Sequence, residues 1–269
     1  MQKVTEYKAI LNGLNRIKLL NPRAVTNLFP NEAKFNFWIE KELLFSVESE
    51  NSFFLLRREN DFNFLSFVSK DVDSLSTDLK ELLLGYCNTY VIDLVSRTGQ
   101  SDDIEQALLN SGFTHHEILL KMQKINNIYV NESDFSTDVI FAGIEDTAAI
   151  HQFMVERLDK YSEQIASQNE IMLAIGQKNI LLLKFENEIA GLLIFEKNGH
   201  TSHLREWLVN EKYRGMKTGS KLMKRYFFEC NDCKRFILWV KEKNEDAINK
   251  YFHYGYKFDN LVDKIFLKG

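Results

Sequence analysis

"VNEKYRGMKTGSKLM", residues 209–223, runs from a strand-like apolar ending through a turn of glycines and cations into a helical pattern. Gly215 and Gly219 flank Met216, Lys217 and Thr218, and "SKLMKRYFF" follows with apolar residues at helical spacing. A helix N-terminus carries unpaired amide donors and the positive end of the helix dipole, so a turn that aims successive N–H groups there binds anions. Glycine lets the backbone come close to a phosphate. Lys212, Arg214, Lys217, Lys221 and Lys224 add local positive charge. The stretch is not a Walker loop, because the GK[ST] ending is absent, nor the dinucleotide fingerprint GxGxxG. Alone, it reads first as a basic turn on a solvated helix and second as a phosphate cradle.

The chain around it has 269 residues, long for one ordinary domain and comfortable for two. It is 45% hydrophobic and 27% charged, a composition able to bury a core. A net charge of -4 argues against a general nucleic-acid binder. The opening "MQKVTEYKAILNGLNRIKLL" intersperses charges among its apolar residues, and no run reaches the roughly 20 apolar residues of a membrane span, so no membrane partner and a cytoplasmic location are expected. Three cysteines, Cys87, Cys230 and Cys233, are too few for a disulfide framework. The Cys230–Cys233 pair has neither a second pair nor a spaced histidine pair beside it, so no metal is expected.

Two prolines, both early, leave the organisation to be read from pattern. Residues 5–20 are helical, "NPRAVTNLF" begins a second helix or a turn, and "FFLLRRENDFNFLSFV" is a hairpin. A helix at 74–84, the strand "TYVIDLVS", the short helix "DDIEQALLNSGF" and the strand "HHEILLKMQ" follow. The polar run "NNIYVNESDFSTD" is the expected linker between domains 1–135 and 136–269. The second half repeats the plan: "LLRRENDFNFLSF" parallels "LLKFENEIAGLLIF", "YVIDLV" parallels "RFILWV", and "QALLNSGF" parallels "NKYFHYGY". The glycine-cation turn has no counterpart in the first half.

"YRGMKTGSKLM" after "LREWLV" resembles the cofactor signature of the GNAT superfamily of acyl-CoA N-acyltransferases, matched at Arg214, Gly219 and the flanking strand, with Lys217 in the place of the first signature glycine. "NEDAINKYFHYGYKF" is similar to a second landmark of that family, matched at Asn244, Ala247, Tyr251, Gly255 and Tyr256, with "RFILWV" between the two. The resemblance covers about residues 137–269. It implies an α/β fold of two tandem GNAT-like domains, each a mixed, mostly antiparallel sheet flanked by helices, the first degenerate and without the CoA loop.

The resemblance further implies acetyl transfer from acetyl-CoA to a primary amine by direct attack in a ternary complex. Strands near 203–209 and 235–240 would splay to admit the pantetheine arm along the backbone of Leu208 and Val209. The Val209 amide would polarise the thioester carbonyl. Amides of Arg214, Gly215, Met216, Lys217, Thr218, Gly219 and Ser220 would hold the pyrophosphate, and Asn244 would contact the pantetheine. Tyr251 would be the general acid. His203, with a side chain suited to proton transfer near neutral pH and sharing strand parity with Arg205 and Trp207, is the expected base, and Glu206 on the opposite face is the alternative. The segment 159–168, with Tyr161 and Glu163, would meet a small-molecule or peptide amine. Two other readings stand beside this one: a binding-only relative that has lost turnover, and an aminoacyl-tRNA-dependent transferase.

Overall fold

A computed structural model describes residues 1–85, 88–125 and 137–269 of the chain. Cys87 and most of the expected linker lie outside the described residues. The elements in chain order are β1 (Gln2–Lys3), α1 (Tyr7–Leu20), β2 (Val25–Thr26), α2 (Glu32–Glu40), β3 (Leu44–Glu48), β4 (Ser52–Arg58), β5 (Asn63–Ser69), α3 (Val72–Gly85), β6 (Tyr90–Arg97), α4 (Asp102–Asn110) and β7 (Thr114–Ile125). They continue with β8 (Val139–Phe141), α5 (Thr147–Val155), α6 (Gln168–Gly176), β9 (Ile180–Phe185), β10 (Glu188–Asn198), β11 (Thr201–Val209), α7 (Thr218–Glu229), β12 (Arg235–Lys241), α8 (Glu245–His253) and β13 (Lys257–Lys268). Among the described residues no helix is long and apolar enough to cross a membrane.

The chain forms two compact units, Met1–Leu119 with Asn260–Gly269, and Leu120–Asp259. This division differs from a cut at 135/136, because the closing strand returns to the first unit. Along Leu261–Lys268 it pairs antiparallel with β6, residue for residue from Arg97 to Tyr90. The reason is apolar burial: Ile265 and Phe266 are buried, and Phe266 joins the Leu75, Leu79 and Leu108 cluster under α3 and α4. The chain therefore leaves the first unit within β7 and re-enters it within β13.

Each unit is a mixed sheet with helices on both faces, mostly antiparallel and including a parallel step among the described pairings. In the first unit the parallel neighbours are β5 and β6, and in the second they are β11 and β12. Counting strands from that step makes β4 and β5 the counterparts of β10 and β11. The repeat read from sequence, which sets the β4–β5 hairpin against β9–β10, is thus displaced by one strand. Alternating apolar hairpins look alike whichever strands of a meander they occupy, so pattern cannot fix the offset. The segment around residues 21–29 is also not a helix: Val25–Thr26 pairs with β5, and the next helix begins only at Glu32 behind the cap of Asn31.

In the second unit, Leu193, Phe195 and Leu204 pack with Leu222, Met223 and Tyr226 on one face, while Leu182, Leu192 and Ile194 pack under α5 and α6 on the other. Gly191 sits where α7 crosses β10. A Cβ there would come within 2.7 Å of Leu222 and Thr218 side-chain carbons, so only glycine lets the start of α7 lie this close to the sheet.

Candidate functional site

Strands β11 and β12 pair in parallel from Thr201–Arg235 to Leu204–Leu238, and their pairing ends there. Past that point β11 stays on β10, with Trp207 opposite Leu193 and Val209 opposite Gly191. Arg205 is an extra residue on β11, since Leu204 faces Phe195 while Glu206 faces Ile194. Such a bulge bends the strand that carries it, here opening a gap between β11 and β12. The Asn210 amide donates to Ala190 O at 2.9 Å. By the alternation of an antiparallel ladder, the Leu208 backbone then serves β10, while the N–H groups of Trp207 and Val209 face the gap. Of the two expected backbone partners, Val209 lines the opening, and the Leu208 side chain packs toward α5 and α6.

The gap ends at the turn quoted first. Asn210 opens it, its side-chain oxygen accepting from the Lys212 amide at 3.1 Å. Tyr213 is buried, stacks on Phe185 at 5.0 Å and donates its hydroxyl to Glu188 at 2.7 Å. Lys212 reaches the same carboxylate at 2.6 Å, and these hydrogen bonds, Lys212's first, hold the Glu188 carboxyl below its ordinary range. Thr218 Oγ1 donates to Tyr213 O at 3.4 Å. Arg214, Gly215, Met216 and Lys217 stand exposed above this anchored base, and Arg214 pairs with Glu211 at 3.1 Å.

Lys217 adopts the left-handed conformation, φ 60° and ψ 14°, directly before α7. The lysine, which stands where the signature it resembles has its first glycine, thus adopts a backbone conformation that glycine favours. Lys221 N–H donates to Lys217 O at 2.9 Å as the first bond of the helix, so the amides of Thr218, Gly219 and Ser220 have no intrahelical acceptor. Gly219 faces Trp207: a Cβ would lie 2.9 Å from the indole ring. The indole N–H of Trp207 is buried and has no acceptor among the described residues. A run of first-turn amides, an orphaned indole donor and a strand amide along one opening fit a long ligand with a phosphorylated end.

Helix α8 borders the same opening. Asn244 is its N-cap, accepting from Ala247 N–H at 3.2 Å, and Gly255, at φ 83°, ends it. Both landmark residues thus have a structural cause. Tyr251 is buried on this helix against Trp207, at 5.6 Å between ring centres, and Tyr256, at 5.7 Å. Burial, and then the charge of Glu206, push its hydroxyl pKa up, so it stays protonated well beyond neutral pH. Burial pushes the Glu206 carboxyl up to about 8, with Glu163 adding to the rise while Arg205 and Lys241 oppose it. Glu163 pairs with Lys241, at the end of β12, at 3.1 Å. That contact brings the 159–168 segment to the mouth of the opening. Asp159 holds the segment in shape through bonds to the Tyr161 and Ser162 amides at 3.1 and 2.9 Å.

His203 lies in the paired part of β11, opposite Glu196 and Ile237, before the gap begins. Ser202 and Leu204 face the Tyr226 core, so His203 faces the other side of the sheet. The parity read from sequence breaks at Arg205: Trp207 faces the Tyr226 side, and His203 and Glu206 share a face rather than opposing each other. A bulge shifts every later side chain by one, and nothing in the alternation of "HLREWLV" announces it. Cys230 and Cys233 are buried, and burial raises the Cys230 thiol to about 12, which keeps it protonated at neutral pH. Among the described residues no three His, Cys, Asp or Glu side chains are grouped to hold a metal.

Residues 146–256 match the family profile described as Acetyltransferase (GNAT) family. A spermine/spermidine N(1)-acetyltransferase of Bacillus subtilis is 28% identical over 92 residues, covering 30% of this chain and 60% of that protein. The chain thus spans less than two thirds of that relative's length. Among solved structures, a tandem GNAT protein from the clavulanic acid biosynthesis pathway aligns with a TM-score of 0.65 and 10% identity, covering 99% of this chain and 97% of that one. A GCN5-related N-acetyltransferase from Sphaerobacter thermophilus aligns with a TM-score of 0.56 and 10% identity, covering 99% and 94%. At such identities the structural likeness concerns the fold.

Proposed function

We propose, from the match of residues 146–256 to the Acetyltransferase (GNAT) family profile, that the protein moves an acetyl group from acetyl-CoA to a primary amine by direct attack in a ternary complex. The observation that carries this reading is the gap between β11 and β12, with the Val209 amide along it and the first turn of α7 at its end. The pantetheine arm adds to the free edge of β11 as a short strand does, and the pyrophosphate meets the amides of Thr218, Gly219 and Ser220. Acetyl-CoA supplies the activated acyl group. The Val209 N–H polarises the carbonyl, and Tyr251, kept protonated by its burial, gives its proton to the departing sulfur.

The base in this reading is Glu206. An alkyl ammonium has an ordinary pKa near 10.4, and a carboxylate raised to about 8 is a far better acceptor for its proton than an ordinary one. Glu163 beside it gives the mouth a second carboxylate suited to a cationic acceptor, and spermidine is the first to test, given the Bacillus subtilis relative. Thermal unfolding with and without acetyl-CoA tests the turn. Wild type is expected to gain several degrees, and Gly219→Glu, which fills the space against Trp207 and sets a carboxylate among the amides, is expected to gain none. Equal stabilisation of both would remove the assignment. Saturable acetyl-CoA binding with no thiol release for any amine would instead favour the binding-only reading, and failure to bind CoA would revive the tRNA-dependent one.

A further inference from the structure

The first unit has the same opening, and its own chain fills it. Strands β5 and β6 are parallel neighbours and pair only at Asn63–Tyr90 and Phe64–Val91. Beyond Phe64 they part, as β11 and β12 do beyond Leu204. Into this gap runs β2, with Val25 opposite Ser69 and Thr26 opposite Val68 on the edge of β5.

Asn27 then spans the gap. Its side-chain amide donates to Asp93 O on β6 at 3.0 Å and to Leu65 O on β5 at 3.3 Å, and its side-chain oxygen accepts from Phe67 N–H at 2.7 Å. Its backbone N–H donates to Phe67 O at 3.3 Å, an oxygen that also accepts from Thr26 Oγ1 at 2.7 Å. Leu28 follows as a buried member of the cluster under α1 and α2. The backbone groups that a bound pantetheine would need on β5 are thus already paired within the chain.

The far end of the gap is closed as well. Between β5 and α3 only residues 70–71 intervene, against residues 210–217 between β11 and α7. Asp71 accepts from Ser74 N–H at 2.8 Å, so a carboxylate of the chain already sits at the start of α3. That bond is the first cause of the lowered Asp71 pKa, and the carboxylate stays charged at neutral pH, where it repels a phosphate.

We infer that residues 25–28 and Asp71 are a built-in occupant of the first unit's cleft, and that acyl-CoA binds once per chain, in the second unit only. The second clause rests on the function proposed above; the first stands on these hydrogen bonds alone.

Isothermal titration of acetyl-CoA into the full chain tests the count. One molecule per chain is expected, with none bound by Gly219→Glu or by Ser220→Glu, whose side chain is exposed and leaves the Trp207 packing alone. Two molecules per chain, or saturable binding that survives both substitutions, would overturn the inference. Hydrogen exchange tests the occupant without any ligand. The Phe67 amide is expected among the slowest in the first unit, and Asn27→Ala is expected to speed it at least tenfold. Fast exchange of Phe67 in the wild type overturns the occupant even if acetyl-CoA binds once. If the wild type binds no acetyl-CoA while Phe67 stays protected, the first unit remains sealed and only the reading of the second unit falls.

Discussion

Lys217 carries a side chain in the left-handed conformation that glycine adopts freely. A residue with a Cβ in the left-handed region costs about 1–2 kcal/mol, and that cost is borne at the first residue before α7. Lys217→Gly is therefore expected to stabilise the protein by about 0.5–1 kcal/mol in urea unfolding, part of the relief being offset by the greater freedom of glycine when unfolded. The same variant removes an exposed ammonium from an anion site, so acetyl-CoA affinity is expected to fall several-fold and its salt dependence to become shallower. Unchanged stability would show that the left-handed turn carries no strain. Glu206 is the second residue on which the proposal turns. A base acts only when deprotonated, so kcat/KM is expected to climb as pH rises through about 8. Glu206→Gln should lower kcat about 10²-fold and erase that rise, leaving only the titration of the amine itself. His203→Gln, changed in the paired part of the strand, is the comparison; loss of the pH limb there and not at Glu206 would exchange the two roles.

At the scale of elements, the site is made by how α7 is seated and by where β11 bends. Gly191 lets the helix start lie against β10, and an added methyl would press on Thr218 and Leu222 at 2.7 Å. Gly191→Ala is expected to cost about 1–3 kcal/mol and, by tilting the first turn of α7, to weaken acetyl-CoA binding while leaving the fold intact. Loss of stability with unchanged affinity would show that the turn does not depend on this seating. The turn and α8 were legible in the sequence because their signals are local: glycine before a helical pattern, an asparagine cap, and a glycine stop at Gly255. The bulge at Arg205 was not, since it exists only as a mismatch between two strands. Its consequence, that Glu206 shares a face with His203, was hidden with it. The two-residue strand β2 was equally hidden. It is too short to carry a period, and it is strand only because β6 leaves one edge of β5 beyond Phe64, while β4 holds the other.

At the scale of the whole molecule, a repeated strand-and-helix plan was readable, though one strand out of step, and the division between the units was not. Alternating hairpins and amphipathic helices show themselves locally, but nothing in "NLVDKIFLKG" says which strand it will pair with. The joining has a direct consequence for any attempt to separate the halves. Among the described residues, a fragment 1–135 contains every helix and strand of the first unit except the part of β13 from Asn260 to Lys268. Without it, β6 loses its antiparallel partner along Tyr90–Arg97, and the core loses Ile265 and Phe266, both buried in the full chain. An exposed, apolar strand edge is also a site for association with other chains. Fragment 1–135 is therefore expected to show no cooperative thermal transition by circular dichroism and to aggregate. The same fragment extended through a short glycine-serine linker by residues 260–269 is expected to recover a cooperative transition and remain monomeric. If fragment 1–135 alone melts as sharply as the extended one, β13 adds little to the first unit, and the two copies are separable as the sequence repeat suggests.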